Sequence, residues 1–319
     1  MNSRVLVTGA NGFVGRALCI SMAQRGYTVR AAVRELSRAK GLRGEVVKIA
    51  DTGADADCSS ALVGIDTVVH LAARVHVMRD KALQPLTEFR AVNVLATERL
   101  ARAAAAHGVK RFVYVSSIKV NGEGTQPGQR YTPDDAPAPA DSYGISKYEA
   151  EQTLHQLAQE TGLEVVIIRP VLVYGPGVKA NFLSMMRWLH RGIPLPLGAI
   201  QNQRSLVALD NLVDLIATCL HHPYAPGQTF LVSDGEDLST TELLRRTAVA
   251  LGRPVRLISV PAGVLRMAAR ALGRADFAER LCGSLQVDIG KTRQLLGWAP
   301  PVSVDEALKQ TARHFLANL

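Results

Sequence analysis

Several features that mark particular classes of protein are scarce in this sequence of 319 residues. Its four cysteines, Cys19, Cys58, Cys219 and Cys282, lie far apart, which excludes a disulfide scaffold and a clustered metal site. No apolar run approaches the roughly 18 residues that a membrane span needs. Residues 1–8 lack the charged start and long apolar stretch of a signal peptide. We therefore expect a globular protein of the reducing cytoplasm whose cysteines are buried thiols.

The sequence also contains few aromatic residues and fewer acidic than basic residues. Aromatics make up 5% of the chain, and 28 Asp and Glu against 37 Lys and Arg leave a net charge of +9. Because the basic residues are spread without a block, and so few aromatics offer no platform for stacked bases, we expect no nucleic-acid partner. The positive balance favours a small anionic partner, such as a phosphorylated substrate.

The first half of the sequence alternates short apolar runs with helical stretches. This alternation indicates βαβ units and predicts an α/β fold with a Rossmann-type, doubly wound parallel sheet. Later, Pro and Gly become frequent and helical patterns dominate, which predicts a smaller, mostly helical C-terminal substrate lobe. We expect residues 1–175 to form a dinucleotide-binding domain, and residues 176–319 to form mainly the substrate-binding lobe, interleaved with the first.

Glycines recur at every third position where the first predicted strand meets the first predicted helix, within residues 8–15. Glycine lets the backbone turn tightly and approach a pyrophosphate, which then lies at the positive N-terminus of the helix. A glycine-rich turn without a ligand is the plain alternative, and the strand–turn–helix context argues against it. We predict that this turn binds a dinucleotide through Gly9, Asn11, Gly12, Phe13, Val14 and Gly15.

The end of the second predicted strand bears on the choice of dinucleotide. An acidic residue there holds the ribose 2′-hydroxyl of NAD, whereas an arginine accommodates the 2′-phosphate of NADP. The sequence has Val33 at that position and Arg34 after it, which favours NADP(H) and keeps NAD open. A surface arginine beside Glu35 is the competing interpretation. Asp51, after the third predicted strand, is a candidate acceptor for the adenine amino group.

Tyr143 and Lys147 form a Tyr-x-x-x-Lys motif at the start of a predicted helix. A spacing of four residues puts both side chains on one helical face. A lysine ammonium near a phenol stabilises the phenolate, so we expect Lys147 to lower the pKa of Tyr143 from ~10 towards neutral pH. Such a tyrosine exchanges a proton with a carbinol while a hydride moves to or from nicotinamide.

Other candidate residues follow neighbouring strands or begin the next helix. Ser117 follows the fifth predicted strand, at the edge where doubly wound sheets bind ligands, and can hydrogen-bond a substrate oxygen and orient the phenol. Asn93 is placed to brace the backbone of the site. The segment after the fourth strand leaves room for a cofactor with Leu71, Ala72 and Ala73.

With these motifs the chain resembles the extended short-chain dehydrogenases/reductases, in the NAD(P)-dependent nucleotide-sugar epimerase/dehydratase family. The resemblance runs the full length and rests on residues 8–15, 70–73, 93, 115–117, 143–147, 169–177, 181–182, 204–212 and 288–291. It implies that Ser117, Tyr143 and Lys147 are catalytic, and that Pro170 and Val173 flank the nicotinamide.

The resemblance also implies a substrate and an assembly. Asn181 and Arg204 match positions that contact the nucleoside diphosphate of a UDP-sugar or another nucleotide-diphosphate sugar, and the donor fork of an arginine suits phosphate oxygens. Members of the family commonly pair through two long helices per subunit. A homodimer through helices 91–107 and 143–161 is therefore expected.

Departures from the family pattern reduce the number of reactions that the chain is expected to catalyse. Where the hexose dehydratases carry an Asp-Glu pair, this chain has Ile118 and Lys119, so 4,6-dehydration is not expected. Asn121 replaces the partner aromatic of the 4-epimerases, and their acidic NAD-selecting residue is missing. We therefore expect reduction of a UDP-4-keto-(6-deoxy)-N-acetylhexosamine, as in enzymes of bacterial surface-polysaccharide and O-antigen synthesis.

Three other interpretations stay open. The first is a UDP-hexose or UDP-N-acetylhexosamine 4-epimerase, the second a non-catalytic dinucleotide-binding regulator on the same fold, and the third a reductase of steroid-like ketones. The intact set of Ser117, Tyr143 and Lys147 argues against the regulator, and Asn181 and Arg204 favour a diphosphate over a steroid.

Overall fold

The computed structural model describes residues 3–49, 58–75 and 84–319, so that Asp51 lies outside the described residues. Its strands are β1 (Arg4–Thr8), β2 (Thr28–Val33), β3 (Glu45–Lys48), β4 (Thr67–His70), β5 (Arg111–Val115), β6 (Glu164–Pro170), β7 (Leu172–Tyr174), β8 (Arg204–Ala208), β9 (Thr229–Val232) and β10 (Asp237–Leu238). Seven of them form a wholly parallel sheet in the order β3-β2-β1-β4-β5-β6-β9. The predicted doubly wound α/β fold is confirmed.

Helices cover both faces of this sheet. Along β1, Val5 and Val7 pack with helices on one face and Leu6 packs with helices on the other, because successive strand residues alternate in direction. The helices are α1 (Phe13–Gln24), α2 (Ser59–Leu62), α3 (Pro85–Arg90), α4 (Ala96–Ala106), α5 (Ser142–Thr161), α6 (Ala180–His190), α7 (Leu209–Cys219), α8 (Thr240–Ala250), α9 (Ala262–Ala271), α10 (Ala275–Cys282), α11 (Gly290–Leu296) and α12 (Val304–Leu316). The face of Val5 packs against α1, α7 and α11, and that of Leu6 against α2, α4 and α5.

The second half of the chain contains more strand than its helical pattern predicts. β7, β8 and β10 form a small second sheet, which shares a core with α6, α8 and α12. β9 instead joins the main sheet beside β6. Strands this short carry too few residues for periodicity to reveal them. The domain division after residue 175 stays a prediction. Within the described ranges, no helix combines the length and apolarity needed to cross a bilayer.

The helix predicted at residues 91–107 is longer than expected and is interrupted. It begins at Pro85, whose ring suits the first turn of a helix, and a π-helical turn at Ala91–Leu95 separates α3 from α4. Such turns recur at functional sites. Asn93 is buried within this turn.

A buried ion pair ties α5 to β6. Arg169 and Glu151 are both almost fully buried, and their Nη2 and Oε2 atoms are 2.6 Å apart. The Arg169 Nη1 also donates to Asn121 Oδ1 at 2.9 Å, and Asn121 Nδ2 donates to the Thr132 carbonyl oxygen at 2.8 Å. The pair therefore also holds the long loop before α5.

Replacing Arg169 with Met should lower the free energy of unfolding by about 3–5 kcal/mol, because the Glu151 carboxylate is left buried without its partner. The matched control is Arg102→Met, which removes the exposed ion pairs of Arg102 with Glu98 and Glu160. That change should cost less than about 1 kcal/mol. Urea denaturation of both variants measures the difference, and equal losses would contradict the assignment.

Candidate active site

The strand order places a crevice at the carboxyl ends of β1 and β4. From β1 the chain proceeds outward to β2 and β3 on one side, and β4, β5, β6 and β9 lie on the other. Where connections leave in opposite directions, doubly wound sheets bind their ligands. Gly9 follows β1, and the predicted residues Leu71, Ala72 and Ala73 follow β4, so both segments lie at this crevice.

The turn between β1 and α1 has no room for a side chain at two of its glycines. Gly9 has a left-handed φ of 64°, and a Cβ there would lie 2.9 Å from the Ala72 backbone nitrogen. A Cβ on Gly15 would overlap the Gly9 carbonyl oxygen. α1 begins after Gly12 without a side-chain cap, so no cap occupies its first N–H groups. This cradle fits a pyrophosphate at a helix N-terminus. It contains the whole predicted set: Gly9, Asn11, Gly12, Phe13, Val14 and Gly15.

A buried histidine joins the ends of β1 and β4. The Nδ1 atom of His70 lies 2.7 Å from the Thr8 hydroxyl, and its Nε2 atom lies 3.0 Å from the Thr97 hydroxyl. Burial, and to a lesser extent the charge of Lys147, lowers the pKa of His70 to about 3, so its ring is neutral at physiological pH. Sequence reasoning missed this contact, although Thr8 at the strand end was a local signal for it.

Ser117 and Tyr143 meet at the carboxyl end of β5. Ser117 follows this strand and caps a 3-10 turn, and its hydroxyl accepts from the Lys119 N–H at 3.2 Å. Tyr143 is the second residue of α5, and its phenol lies near enough to the Ser117 side chain for that hydroxyl to lower the pKa of the phenol. The Phe89 ring packs edge-on against the phenol, with centroids 6.1 Å apart. Two of the predicted catalytic groups are therefore close neighbours.

The first turn of α5 is fixed against the turn that follows Ser117. Asp141 caps the helix, since its Oδ1 accepts from the Gly144 N–H at 2.7 Å. The other carboxylate oxygen pairs with Lys119 Nζ at 2.5 Å. A Cβ on Gly144 would lie 2.9 Å from the Lys119 carbonyl oxygen, so only glycine allows this approach. Lys119 thus holds the helix that carries Tyr143.

Lys147 lies one helical turn beyond Tyr143 and is only 2% exposed. Its Nζ donates to the Val115 carbonyl oxygen at 2.8 Å and lies 4.2 Å from the centroid of the Tyr114 ring. Burial lowers the pKa of Lys147 to about 7, against the opposing effect of the Glu151 carboxylate. The amine therefore changes its protonation state near neutral pH.

The pKa of Tyr143 differs from the expectation. Burial raises it to about 12, and the Ser117 hydroxyl offsets only part of that rise. The predicted lowering by Lys147 is wrong for this structure, because desolvation of the phenolate dominates. Desolvation also leaves Lys147 only partly protonated at neutral pH. The sequence motif alone does not report this burial.

Asn93 braces the backbone beyond β4. Its Oδ1 accepts from the Arg74 N–H at 2.8 Å, and its Nδ2 donates to Ser146 Oγ at 3.0 Å. Ser146 Oγ in turn donates to the Tyr143 carbonyl oxygen at 2.8 Å. Asn93 therefore links the crevice to the helical turn that carries the phenol, and its contact with a cofactor stays a prediction.

Three further predicted cofactor residues lie on or next to different strands of the two sheets. Pro170 ends β6, next to β5 in the sheet, and Val173 is the middle residue of β7. Arg34 is exposed directly after β2, on the opposite side of β1. That Pro170 and Val173 flank the nicotinamide and that Arg34 binds a 2′-phosphate stay predictions. The role of Asp51 also stays a prediction, because that residue is not among the described residues.

Asn181 and Arg204 lie in the substrate lobe. Asn181 is exposed in the first turn of α6, beside Ala180, whose φ of 52° is unusual for a residue with a side chain. Such backbone strain clusters at ligand-binding segments. Arg204 Nη1 donates to the carbonyl oxygens of Arg280 at 3.2 Å and Gly283 at 3.1 Å. Arg204 therefore closes the end of α10, a structural contact that its sequence pattern did not indicate.

The described ranges contain no cluster of three or more His, Cys, Asp or Glu side chains that could hold a metal ion. All four cysteines are buried thiols, as predicted.

Comparisons with known proteins agree with this arrangement. The NAD dependent epimerase/dehydratase family matches residues 5–233. A UDP-glucose 4-epimerase of Vibrio cholerae is 50% identical to this chain, over 99% of this chain and 96% of that protein.

Solved structures resemble the chain over its whole length. MoeE5 in complex with UDP-glucuronic acid and NAD is 27% identical, with a TM-score of 0.78, and the match covers 99% of this chain and 100% of that one. The UDP-glucuronic acid 4-epimerase of Bacillus cereus in complex with NAD has a TM-score of 0.80 at 20% identity, with 99% of each chain covered. The latter likeness shows the fold.

Gly15→Ala should weaken NAD binding at least about tenfold, because the added methyl group displaces the Gly9 carbonyl and distorts the cradle. Gly263→Ala is the matched control, since nothing lies within 4 Å of a Cβ at that position. Calorimetric titration with NAD measures both affinities. Unchanged affinity in a folded Gly15→Ala variant would contradict the cradle.

The buried amine of Lys147 predicts a pH dependence of stability. Its pKa is lowered from 10.5 to about 7, so between these values the unfolded chain binds more protons than the folded one. The free energy of unfolding should therefore rise with pH by up to about 1.4 kcal/mol per unit, and Lys147→Met should remove that slope. Urea denaturation at several pH values tests this, with the exposed Lys309→Met as control. A slope that survives in Lys147→Met would exclude the amine as its source.

Proposed function

This chain belongs to the NAD dependent epimerase/dehydratase family, and we propose that it is a 4-epimerase of a UDP-hexose or UDP-N-acetylhexosamine. The observation that carries the proposal is the closeness of the Ser117 and Tyr143 side chains, next to the buried Lys147 and at the same sheet edge as the glycine cradle. The 50% identical relative from Vibrio cholerae supports epimerisation over the reduction that the sequence favoured.

Each catalytic side chain has a distinct task in this proposal. Epimerisation at C4 requires that the C4 hydroxyl lose its proton and the C4 carbon lose a hydride, and that both return after the sugar has turned its other face. Tyr143 takes and returns the proton, and Ser117 holds the C4 oxygen by a hydrogen bond. Lys147, which is partly protonated near pH 7, would favour the phenolate by its positive charge and so oppose the effect of burial on Tyr143. The glycine cradle would hold NAD, whose nicotinamide would supply reversible hydride acceptance without net oxidation.

Reduction of a UDP-4-keto-(6-deoxy)-N-acetylhexosamine is the second candidate. The observation in its favour is Arg34, which is exposed at the end of β2, where an arginine suits the 2′-phosphate of NADP. The same Ser117 and Tyr143 would then deliver one proton to the C4 oxygen while one hydride is consumed. Cofactor choice follows the reaction, since an epimerase recycles its NAD and a reductase draws on NADPH.

The surroundings of the site complete the proposal. Asn181 and Arg204 would contact the diphosphate of the UDP-sugar, with Arg204 doing so from the position where it also closes α10. A homodimer through α4 and α5 stays a prediction. A cytoplasmic location also stays a prediction, and the four buried thiols favour it.

The decisive experiment incubates the protein with UDP-hexoses and UDP-N-acetylhexosamines plus NAD, and with UDP-4-keto sugars plus NADPH. Appearance of the C4 isomer by NMR, without net change in nicotinamide absorbance, supports the epimerase. Consumption of NADPH with a keto sugar, and no isomer, supports the reductase instead.

Tyr143→Phe should lower kcat about 10²–10⁴-fold while NAD binding persists, because the proton carrier is lost and the cradle is unchanged. Tyr148→Phe is the matched control on the same helix, where the hydroxyl only accepts from Gln152 Nε2 at 3.1 Å. Steady-state kinetics of both variants provide the comparison. If Tyr143→Phe keeps full turnover, the phenol is not the proton carrier, and if the wild type turns over no nucleotide sugar, a binding-only role gains support.

A further inference from the structure

Helix α9 carries an apolar face that the rest of the described protein leaves uncovered. None of its residues is buried. Val264, Met267, Ala268 and Ala271 recur at helical spacing, so they share one face. Met267 is 67% exposed and the following Leu272 is 75% exposed. Long apolar side chains grouped on an exposed face usually mark a contact surface.

The opposite face fixes α9 to the substrate lobe. Ala262 and Leu265 pack against the core shared by α6, α8 and α12. Arg266 Nη2 donates to the Cys282 carbonyl oxygen at 3.3 Å, and its Nε lies 3.5 Å from Glu279 Oε1. The segment before α9 pairs with residues 195–198 through backbone hydrogen bonds. The exposed face is therefore held in a fixed orientation.

Positive charge surrounds this apolar face. Residues 253–281 contain six arginines and two acidic residues, in a chain whose net charge is already +9. Arg270 lies beside Met267 on the helical projection of α9, and Arg274 lies in the turn that follows the helix. Neither forms an ion pair with any residue in the described ranges. We define Val264, Met267, Leu272, Arg270 and Arg274 as the α9 surface.

We infer that the α9 surface docks on an anionic membrane surface. An amphipathic helix with long apolar side chains on one face and arginines at its margin lies in the interface of a bilayer, with its apolar side chains among the acyl chains. Anionic headgroups complement the excess of arginine charge, which a neutral or basic protein partner would not. The inference is independent of the proposed reaction, since it uses none of the catalytic residues.

The test is co-sedimentation of the full chain with two kinds of vesicle, phosphatidylcholine alone and phosphatidylcholine mixed with phosphatidylglycerol. The protein should sediment with the mixed vesicles and much less with the neutral ones. Raising the salt concentration should release it, because screening weakens the attraction of arginines to headgroups. Equal sedimentation with both vesicle types, or none with either, overturns the inference.

Variants locate the contact. Arg270→Gln with Arg274→Gln should weaken binding to the mixed vesicles about 25-fold, at about fivefold for each arginine. Met267→Asp with Leu272→Asp should abolish it. Val249→Asp is the control, because Val249 is 78% exposed on α8, outside the α9 surface. Turnover of soluble UDP-sugars and thermal melting check that each variant is folded.

A second copy of this chain is the competing occupant. If two α9 surfaces pair, Met267→Asp with Leu272→Asp should lower the oligomeric state relative to the wild type in size-exclusion chromatography, whether or not a dimer through α4 and α5 remains. That result, together with failure of the wild type to sediment with mixed vesicles, overturns membrane docking. An unchanged oligomeric state with lost vesicle binding supports it.

Discussion

The burial of one amine is the constraint on which the catalytic half of the molecule depends. Lys147 Nζ is held under α5 by the Val115 carbonyl oxygen, at the carboxyl end of β5. One turn further along α5, Glu151 favours its charged form, and Glu151 is in turn held by Arg169 on β6. The position and the charge of the amine near Tyr143 therefore depend on β5, on β6 and on the first half of α5, and not on the motif alone.

Burial acts on the two ends of the motif in opposite senses. It raises the pKa of Tyr143 and lowers that of Lys147, so neutral phenol and partly neutral amine coexist near pH 7. At a pKa of about 12 the phenol holds its proton at neutral pH, so Tyr143 can donate to a substrate oxygen directly but accepts a proton only after it has lost its own. The neutral ring of His70, whose pKa is about 3, adds no competing charge.

The features that could be predicted from the sequence are those that depend on residues close together along the chain. The glycine turn after β1, the alternation of strands and helices, and the meeting of Ser117 with the first turn of α5 follow from local patterns. The membership of β9 in the main sheet, the partnership of Arg169 with Glu151 and the closure of α10 by Arg204 join residues far apart in sequence. The error over the pKa of Tyr143 has the same origin, because burial is a property of the folded chain.

The distribution of arginines bears on how the positive charge of the chain is used. A nucleoside diphosphate can bind only a few of these arginines. In the structure, Arg204 Nη1 already donates hydrogen bonds to carbonyl oxygens at the end of α10. Four of the six arginines of residues 253–281 instead lie on α9, α10 and the turn between them, whose inner face packs into the substrate lobe. Arg204 donates to carbonyl groups at the end of α10. A membrane bound at α9 would therefore contact the same lobe that would bind the diphosphate. The net charge of +9 is thus better explained by an extended anionic surface than by a small substrate alone.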